Sequence, residues 1–308
     1  MKATQVTTYR SLQNFLDRTS DRLSTLQLQA ATGKKLNRPS DDPTAISPVL
    51  SARTQIQASD RYIETIATGL DRINNMDGYL DGIGNTMIRL KEIAIAGVNG
   101  AMGPTDMNTY AEEVRQLRES LLADSNAQVD GKYLFSGFEE KTPPFAIAPG
   151  FDPAAYDPTD STTWPQVVYQ GDSNVIDFEI APNELITVNV TGDKLMQGNE
   201  DIFALVTQLE AAFRNNDPNA IAGLLDPLEN AANQVRAERS LKGNIGRRLE
   251  IAGDQMEKIK IDMEEFRSRY EDADILETIT QLQQQQQSFE AALNVTGKVS
   301  ALSILDYI

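Results

Sequence analysis

Apolar side chains recur at alternating steps of three and four residues near both ends of this 308-residue chain. Such heptad spacing keeps one stripe of a helix facing a partner helix and is typical of coiled coils. The first run covers 22 residues, which would make about 33 Å of helix, and Gly33 then supplies a helix stop. Its members are Tyr9, Leu12, Leu16, Thr19, Leu23, Leu26 and Ala30.

Four further helical patterns follow the same rhythm. One predicts a helix over about 48–96, in which the polar residue Asp77 occupies one position of the apolar seam and the heptad pattern shifts slightly after it. A shorter helix is predicted over about 106–127. Within residues 245–270, apolar side chains recur at strictly alternating steps of four and three, which predicts another helix. The last helix is predicted to present one seam to a partner, composed of Ile275, Ile279, Leu282, Gln286, Phe289, Leu293 and Thr296.

The middle of the chain has a different character. Between residues 131 and 198 the helical period disappears, and seven prolines occur. Alternating segments predict strands at 167–169, 175–180 and 185–190, with a turn at 171–174 that leads from the first into the second. Residues 131–200 hold eleven acidic side chains against three basic ones. It therefore predicts a small, well-solvated β-rich domain between helices.

The order of these segments is nearly palindromic, and it predicts a mainly α fold. Terminal helix, acidic break and long helix precede the β-rich part, and the same three follow it in reverse. We expect long antiparallel coiled-coil helices from both termini to form a rod that carries the β-rich domain. The predicted domains are a terminal coiled coil (1–40 and 275–308), a helical rod (41–130 and 199–274) and the β-rich outer domain (131–198).

Composition excludes several classes of function. The chain has no cysteine and no histidine, which removes disulfides, thiol chemistry, the commonest general base and the commonest transition-metal ligand. A net charge of −17 argues against nucleic-acid binding, which requires a basic face. No apolar run approaches the ~20 residues of a membrane span, and residues 1–18 lack the pattern of a cleavable signal peptide. A soluble protein without a cofactor is the expectation.

The segment GKKLNRPSDDP, residues 33–43, contains the residues that most resemble a catalytic site. Asp41 and Asp42 could form a carboxylate pair for acid–base work or for a divalent cation, with Asp272 and Asp274 as a second pair. Helix capping is the simpler interpretation, because an Asp before Pro43 is a typical start of a helix. If the terminal helices pair, the two acidic breaks face each other as one hinge, formed by Ser40, Asp41, Asp42, Pro43, Asp272 and Asp274.

The terminal seams offer more apolar surface than a single helix pair can bury. A lone helix of this length is marginal in water, so the ends either oligomerise or stay disordered until an assembly orders them. Both alternatives indicate a polymer subunit that is not an enzyme. The predicted assembly interface consists of Tyr9, Leu12, Leu16, Leu23, Leu26, Phe289, Leu293, Val299, Leu302 and Leu305.

Five short motifs resemble the bacterial flagellin superfamily, and within it the hook–filament junction proteins. Residues 33–43 are similar to the flagellin-type turn after the first helix, and 272–274 to its C-terminal counterpart. Residues 130–137 (DGKYLFSG) are similar to the entry into the junction proteins' middle domain, and 168–172 (VYQGD) to their first β-hairpin. The ending at 303–308 (SILDYI) is closer to the junction proteins than to flagellins.

This resemblance implies a structural role outside the cell. Junction proteins connect the flagellar hook, through hook-associated protein 1, to flagellin in the filament, and they form a ring of identical copies. The resemblance also implies export through the flagellar type III apparatus without a cleaved signal, with a chaperone on the C-terminal helix beforehand. Neither nucleic acid nor membrane is an expected partner. The alternative within the family is a flagellin that forms the filament itself.

Overall fold

The computed structural model describes residues 2–99 and 103–305, and it is built mainly of seven α-helices in that part of the chain. Six short strands lie between the third and fourth helices. The helices are α1 (Lys2–Thr32), α2 (Pro43–Val98), α3 (Pro104–Ser125), α4 (Gly192–Met196), α5 (Ile202–Arg214), α6 (Pro218–Glu271) and α7 (Ile275–Leu305). The strands are β1 (Gln128–Val129), β2 (Lys132–Tyr133), β3 (Phe145–Ile147), β4 (Val167–Tyr169), β5 (Asp177–Ala181) and β6 (Glu184–Thr187).

The predicted fold class is confirmed: long helices come from both ends of the chain, with a small β-rich part between them. The described residues form two compact units, one from 1–60 and 257–308 and the other from 61–256. The predicted start of the second helix at Pro48 is wrong by five residues, because α2 begins at Pro43 and includes Pro48. Pro43 fits the first turn of α2, where the missing N–H of a proline has no partner to lose, whereas Pro48 lies inside the helix.

The strands form three separate antiparallel pairs, β1 with β2, β3 with β4, and β5 with β6. The predicted strand at 167–169 is present, but its partner is Phe145–Ile147 and not the strand that follows it. Strand β3 was not predicted, since three residues between prolines are too short to show an alternating pattern. The β5–β6 hairpin overlaps the two segments predicted as strands, 175–180 and 185–190, and differs from them at the ends.

The core of the second unit follows one uninterrupted heptad seam along α2. Its side chains are buried at alternating steps of four and three, and the seam passes through Met76 rather than Asp77. The predicted lapse and shift of phase are therefore wrong: Asp77 lies beside the seam and accepts hydrogen bonds from Arg239 of α6 at 2.8 and 3.1 Å. The seam consists of Tyr62, Ile66, Gly69, Ile73, Met76, Leu80, Ile83, Met87 and Leu90.

Gly97 permits a close approach between α2 and α5. A Cβ at this position would lie 2.6 Å from the Phe213 ring and 3.1 Å from Ile221. Phe213 is fully buried, so its ring has little room to move. Gly97→Ala is expected to lower the free energy of unfolding of this unit by about 1–3 kcal/mol through overpacking. Urea unfolding of the full chain, followed by circular dichroism, measures it.

Gly84 on the same helix is the matched control. A Cβ there would meet nothing within 4 Å, so Gly84→Ala is expected to raise stability by up to about 1 kcal/mol through helix propensity. If both substitutions changed the free energy of unfolding equally, the contact with Phe213 would not restrict the size of the side chain at position 97.

Candidate assembly surface and hinge

Helices α1 and α7 pack against each other in antiparallel orientation within the first unit. The Gln285 side-chain amide donates to the carbonyl of Thr19 at 3.3 Å. Leu26 and Thr19 on α1 are buried, as are Thr278 and Ala292 on α7. The less exposed positions of α1 reproduce its predicted seam from Leu12 to Ala30. Periodicity in α1 therefore identified the face that meets α7.

The face that α7 turns toward α1 differs from the predicted seam. Its less exposed residues are mostly polar or small, namely Thr278, Gln281, Leu282, Gln285, Phe289, Ala292 and Thr296. Four members of the predicted seam (Ile275, Ile279, Gln286 and Leu293) are exposed instead. The stripe through Ile275 was predicted as the contact face because it is more apolar than the stripe through Thr278. The apolar stripe is left uncovered by α1.

An open apolar groove of about 520 Å³ lies between the two helices. Leu12 and Phe15 form one side, and Ala291, Ala292 and Val295 form most of the other. Phe15 is 53% exposed and Val295 50% exposed. Large apolar side chains this exposed, gathered in one concave surface, are typical of an interaction site.

The residues of the predicted assembly interface lie in three environments. Leu26 is buried between α1 and α7, while Leu12, Leu16, Leu23 and Phe289 are half-buried along their contact. Tyr9 and Leu293 are exposed. Val299, Leu302 and Leu305 belong to the last turns of α7, and their side chains lie outside the part of the chain that the structure describes. Val295 and Ala291, which line the groove, were not part of the prediction.

The two acidic breaks lie side by side, joined by backbone hydrogen bonds. The N–H of Lys35 donates to the carbonyl of Glu271 at 2.9 Å, and the N–H of Ala273 donates to the carbonyl of Gly33 at 2.9 Å. Gly33 has φ +70°, a left-handed conformation that favours glycine and ends α1. Loop 33–42 and segment 271–274 therefore form one structural joint.

The aspartates of the joint bind backbone groups. The Asp42 carboxylate accepts from the N–H groups of Thr44 and Ala45 at 3.0 and 3.3 Å and so caps α2, next to Pro43. A hydrogen bond from the Thr44 hydroxyl, followed by the one from its N–H, holds the pKa of Asp42 below its usual value. Asp274 caps α7 by accepting from the N–H of Glu277 at 3.1 Å.

The remaining members of the predicted hinge have local roles. Asp41 accepts from the N–H groups of Asn37 and Arg38 at 2.9 and 2.7 Å, which closes the loop on itself. Ser40 is exposed in the turn before it. Asp272 forms a β-bridge with Lys34. Among the described residues, no group of three or more His, Cys, Asp or Glu side chains could hold a metal ion.

Glu271 holds the joint together from the inside, and the sequence did not single it out. Its side chain is 1% exposed, and its Oε1 accepts from Lys34 Nζ and from Arg53 Nη2, the latter at 2.8 Å. Arg267 Nε lies 3.8 Å from Oε2. Burial raises the pKa of Glu271, but the hydrogen bonds and charges of Lys34 and Arg53 outweigh burial and bring it below its usual value.

Glu271→Gln is expected to destabilise the first unit by about 1–3 kcal/mol at pH 7, because Lys34 and Arg53 lose their ionised acceptor. A carboxylate whose folded pKa is lowered stabilises the fold above its unfolded pKa of about 4.3, and this contribution is lost as pH falls through the folded pKa. The difference in urea midpoint between wild type and variant should therefore shrink from pH 6 to pH 3. The exposed Glu290→Gln is the control, and a pH-independent difference would contradict the ion-pair account.

Comparison with known proteins explains both ends of the chain. Residues 4–140 match the family pattern of the bacterial flagellin N-terminal helical region, and residues 225–308 match that of the bacterial flagellin C-terminal helical region. Together the two matches cover more than two thirds of the sequence. The chain belongs to the bacterial flagellin family. It is thus a structural protein of the flagellum and not an enzyme, as its sequence predicted.

Individual relatives match different shares of the chain. Flagellar hook-associated protein 3 of Escherichia coli is 23% identical over 303 residues, which cover 90% of each chain. The flagellar filament 30.7 kDa core protein of Treponema maltophilum is 27% identical over 108 residues, only 35% of this chain and 38% of its own. The crystal structure of the flagellar junction protein FlgL from Legionella pneumophila superposes with a TM-score of 0.56 at 17% identity, over 74% of this chain and all of that one.

No helix in the described ranges is long and apolar enough to cross a membrane.

Proposed function

We propose that this chain is the structural adaptor that joins the flagellar hook to the filament. One observation carries the proposal: the match to a hook-associated protein 3 extends over 90% of both chains, whereas the match to a filament core protein is confined to about a third. Since the terminal helices are common to the whole family, it is the shared middle that favours a junction protein over a flagellin.

The proposed partners are hook-associated protein 1 on the hook side and flagellin on the filament side, with copies of this chain forming a ring between them. Before assembly the chain would be exported through the flagellar type III apparatus without a cleaved signal, with a chaperone on α7. The exposed apolar stripe of α7, including Leu276 at 81% exposure, supports the need for such a cover, because uncovered apolar surface promotes aggregation.

The terminal helix pair would supply the polymer contacts. In the monomer α1 covers the polar seam of α7 and leaves the apolar stripe and the groove beside Phe15 open to solvent. Each of these surfaces can gain about 25 cal/mol per Å² of apolar area when a neighbouring subunit covers it. Leu26 of the predicted interface would then stabilise the helix pair within one subunit, whereas Tyr9 and Leu293 would form contacts between subunits.

The resemblance to the flagellin family suggests a separate role for each predicted domain. The terminal coiled coil (1–40 and 275–308) would form the inner layer, the helical rod (41–130 and 199–274) would support it, and the β-rich domain (131–198) would lie outermost. The joint between loop 33–42 and segment 271–274 would let the terminal helices take up their assembled position.

Reconstitution on isolated hooks tests the proposal. Hooks that carry hook-associated protein 1 are incubated with the purified chain and then with flagellin, and the products are viewed by electron microscopy. We expect a short cap of limited size after the first step and filament growth after the second. Seeded growth of this chain alone into long filaments would instead identify a flagellin. Filament growth at the same rate when the chain is omitted would overturn the junction role.

A further inference from the structure

Three cationic side chains converge on the single carboxylate of Glu271, and they leave a shallow pocket open to solvent. The pocket has a volume of about 380 Å³ and is lined by Lys34, Arg53, Ile56, Gln57, Arg267 and Glu271. All six residues belong to the first unit. The cations are between one third and one half exposed, so an incoming group can reach them.

The charges in this pocket do not balance. Glu271 Oε1 accepts from both Lys34 and Arg53, whereas Oε2 is buried and accepts no hydrogen bond among the described residues. Arg267 contributes only the 3.8 Å approach to Oε2 and donates no hydrogen bond within the described part of the chain. Three positive charges against one negative charge leave an excess of two, although the chain as a whole carries −17.

We propose that this pocket binds a carboxylate side chain from a second copy of this chain. A guanidinium group presents a planar fork of donors that matches a carboxylate with two parallel hydrogen bonds, and Arg267 is the guanidinium with donors to spare. Lys34 and Arg53 line the same pocket beside it. An incoming carboxylate therefore meets cations on several sides of one small cavity.

Charge complementarity points to another copy as the source of the carboxylate. The chain has 45 acidic side chains against 28 basic ones, so a neighbouring copy presents a mainly acidic surface. Copies packed side by side repel one another unless local opposite charges meet, and the pocket supplies such a charge. This identification of the partner rests on the proposed ring of copies, but binding of a carboxylate to the monomer does not.

The first experiment measures binding to the full-length monomer. Hexaglutamate peptide is titrated into the wild type, into Arg267→Gln and into Arg247→Gln, by calorimetry at low ionic strength. Arg247 is the matched control: an exposed arginine on the same helix but in the second unit, where it donates to Asn244. We expect saturable binding to the wild type, at least a fivefold loss in Arg267→Gln and no change in Arg247→Gln. No saturable binding, or equal losses in both variants, would overturn the anion site.

The second experiment tests the source of the carboxylate. Self-association of the full chain is followed by analytical ultracentrifugation as concentration rises, at low and at high salt. Arg267→Gln is expected to weaken association at low salt by at least fivefold, and Arg247→Gln to leave it unchanged. If Arg267→Gln loses hexaglutamate binding but associates like the wild type, the contact between copies is refuted. Because neither readout uses hooks or flagellin, failure here is distinct from failure of the junction role.

Discussion

Deleting residues 1–35 is expected to abolish incorporation of this chain between hook and filament while its second unit stays folded. The deletion removes all of α1, which covers the polar seam of α7, and with it one side of the groove at Phe15. It also removes Lys34, one of the cations that pair with Glu271. The second unit has its own core, in which Leu80, Met87 and Phe213 are fully buried, and none of these side chains belongs to the deleted segment.

Two measurements on the deletion variant separate assembly from folding. The hook reconstitution reports incorporation, which should fall below detection. Urea unfolding reports the second unit, whose transition should be retained, with a midpoint close to that of the same unit in the full chain. A deletion variant that still joined hook to filament would refute the role of the terminal helices. Loss of the unfolding transition would show instead that the second unit depends on α1.

Heptad spacing predicted the helices well because burial in long helices repeats along the sequence. It failed where a small residue occupies a core position. Gly69 lies on the buried seam of α2 but has no side chain that would mark it as apolar, so the pattern was drawn through Leu70 and Asp77 instead of Gly69 and Met76. In α7 the apolar heptad spacing predicted the more apolar stripe as the contact face, whereas α1 covers the more polar stripe.

The joint shows a second limit of sequence reasoning. Asp42 and Asp274 precede helical patterns, and residues in such positions are recognisable as caps. That the two breaks would face each other followed from the near-palindromic order of segments. Glu271 was missed because nothing in the sequence distinguishes a glutamate buried under Lys34 and Arg53 from any other glutamate at the end of a helix. Its role depends on residues more than 200 positions away.

The strongest single-residue effect on assembly is expected at the groove. Phe15→Asp places a charge on an apolar surface that is 53% exposed in the monomer, so the monomer itself should lose little stability. Once a neighbour covers the groove, the carboxylate must lose its hydration against Leu12, Ala292 and Val295, which costs several kcal/mol. The apolar contact of the Phe15 ring is lost as well.

Gln13→Asp is the matched control for this variant, because Gln13 is exposed on the same helix, does not line the groove and receives the same charge. We expect Phe15→Asp to raise the concentration required for capping hooks by about a hundredfold, equivalent to about 2.7 kcal/mol per subunit, and Gln13→Asp to change it less than threefold. Circular dichroism should show equal helix content in both variants. Equal effects on capping would mean that charge alone, and not the loss of an apolar contact, limits assembly. In that case the groove would remain open to solvent in the assembled ring, and other exposed side chains, such as Tyr9 and Leu293, would supply the apolar contact between subunits.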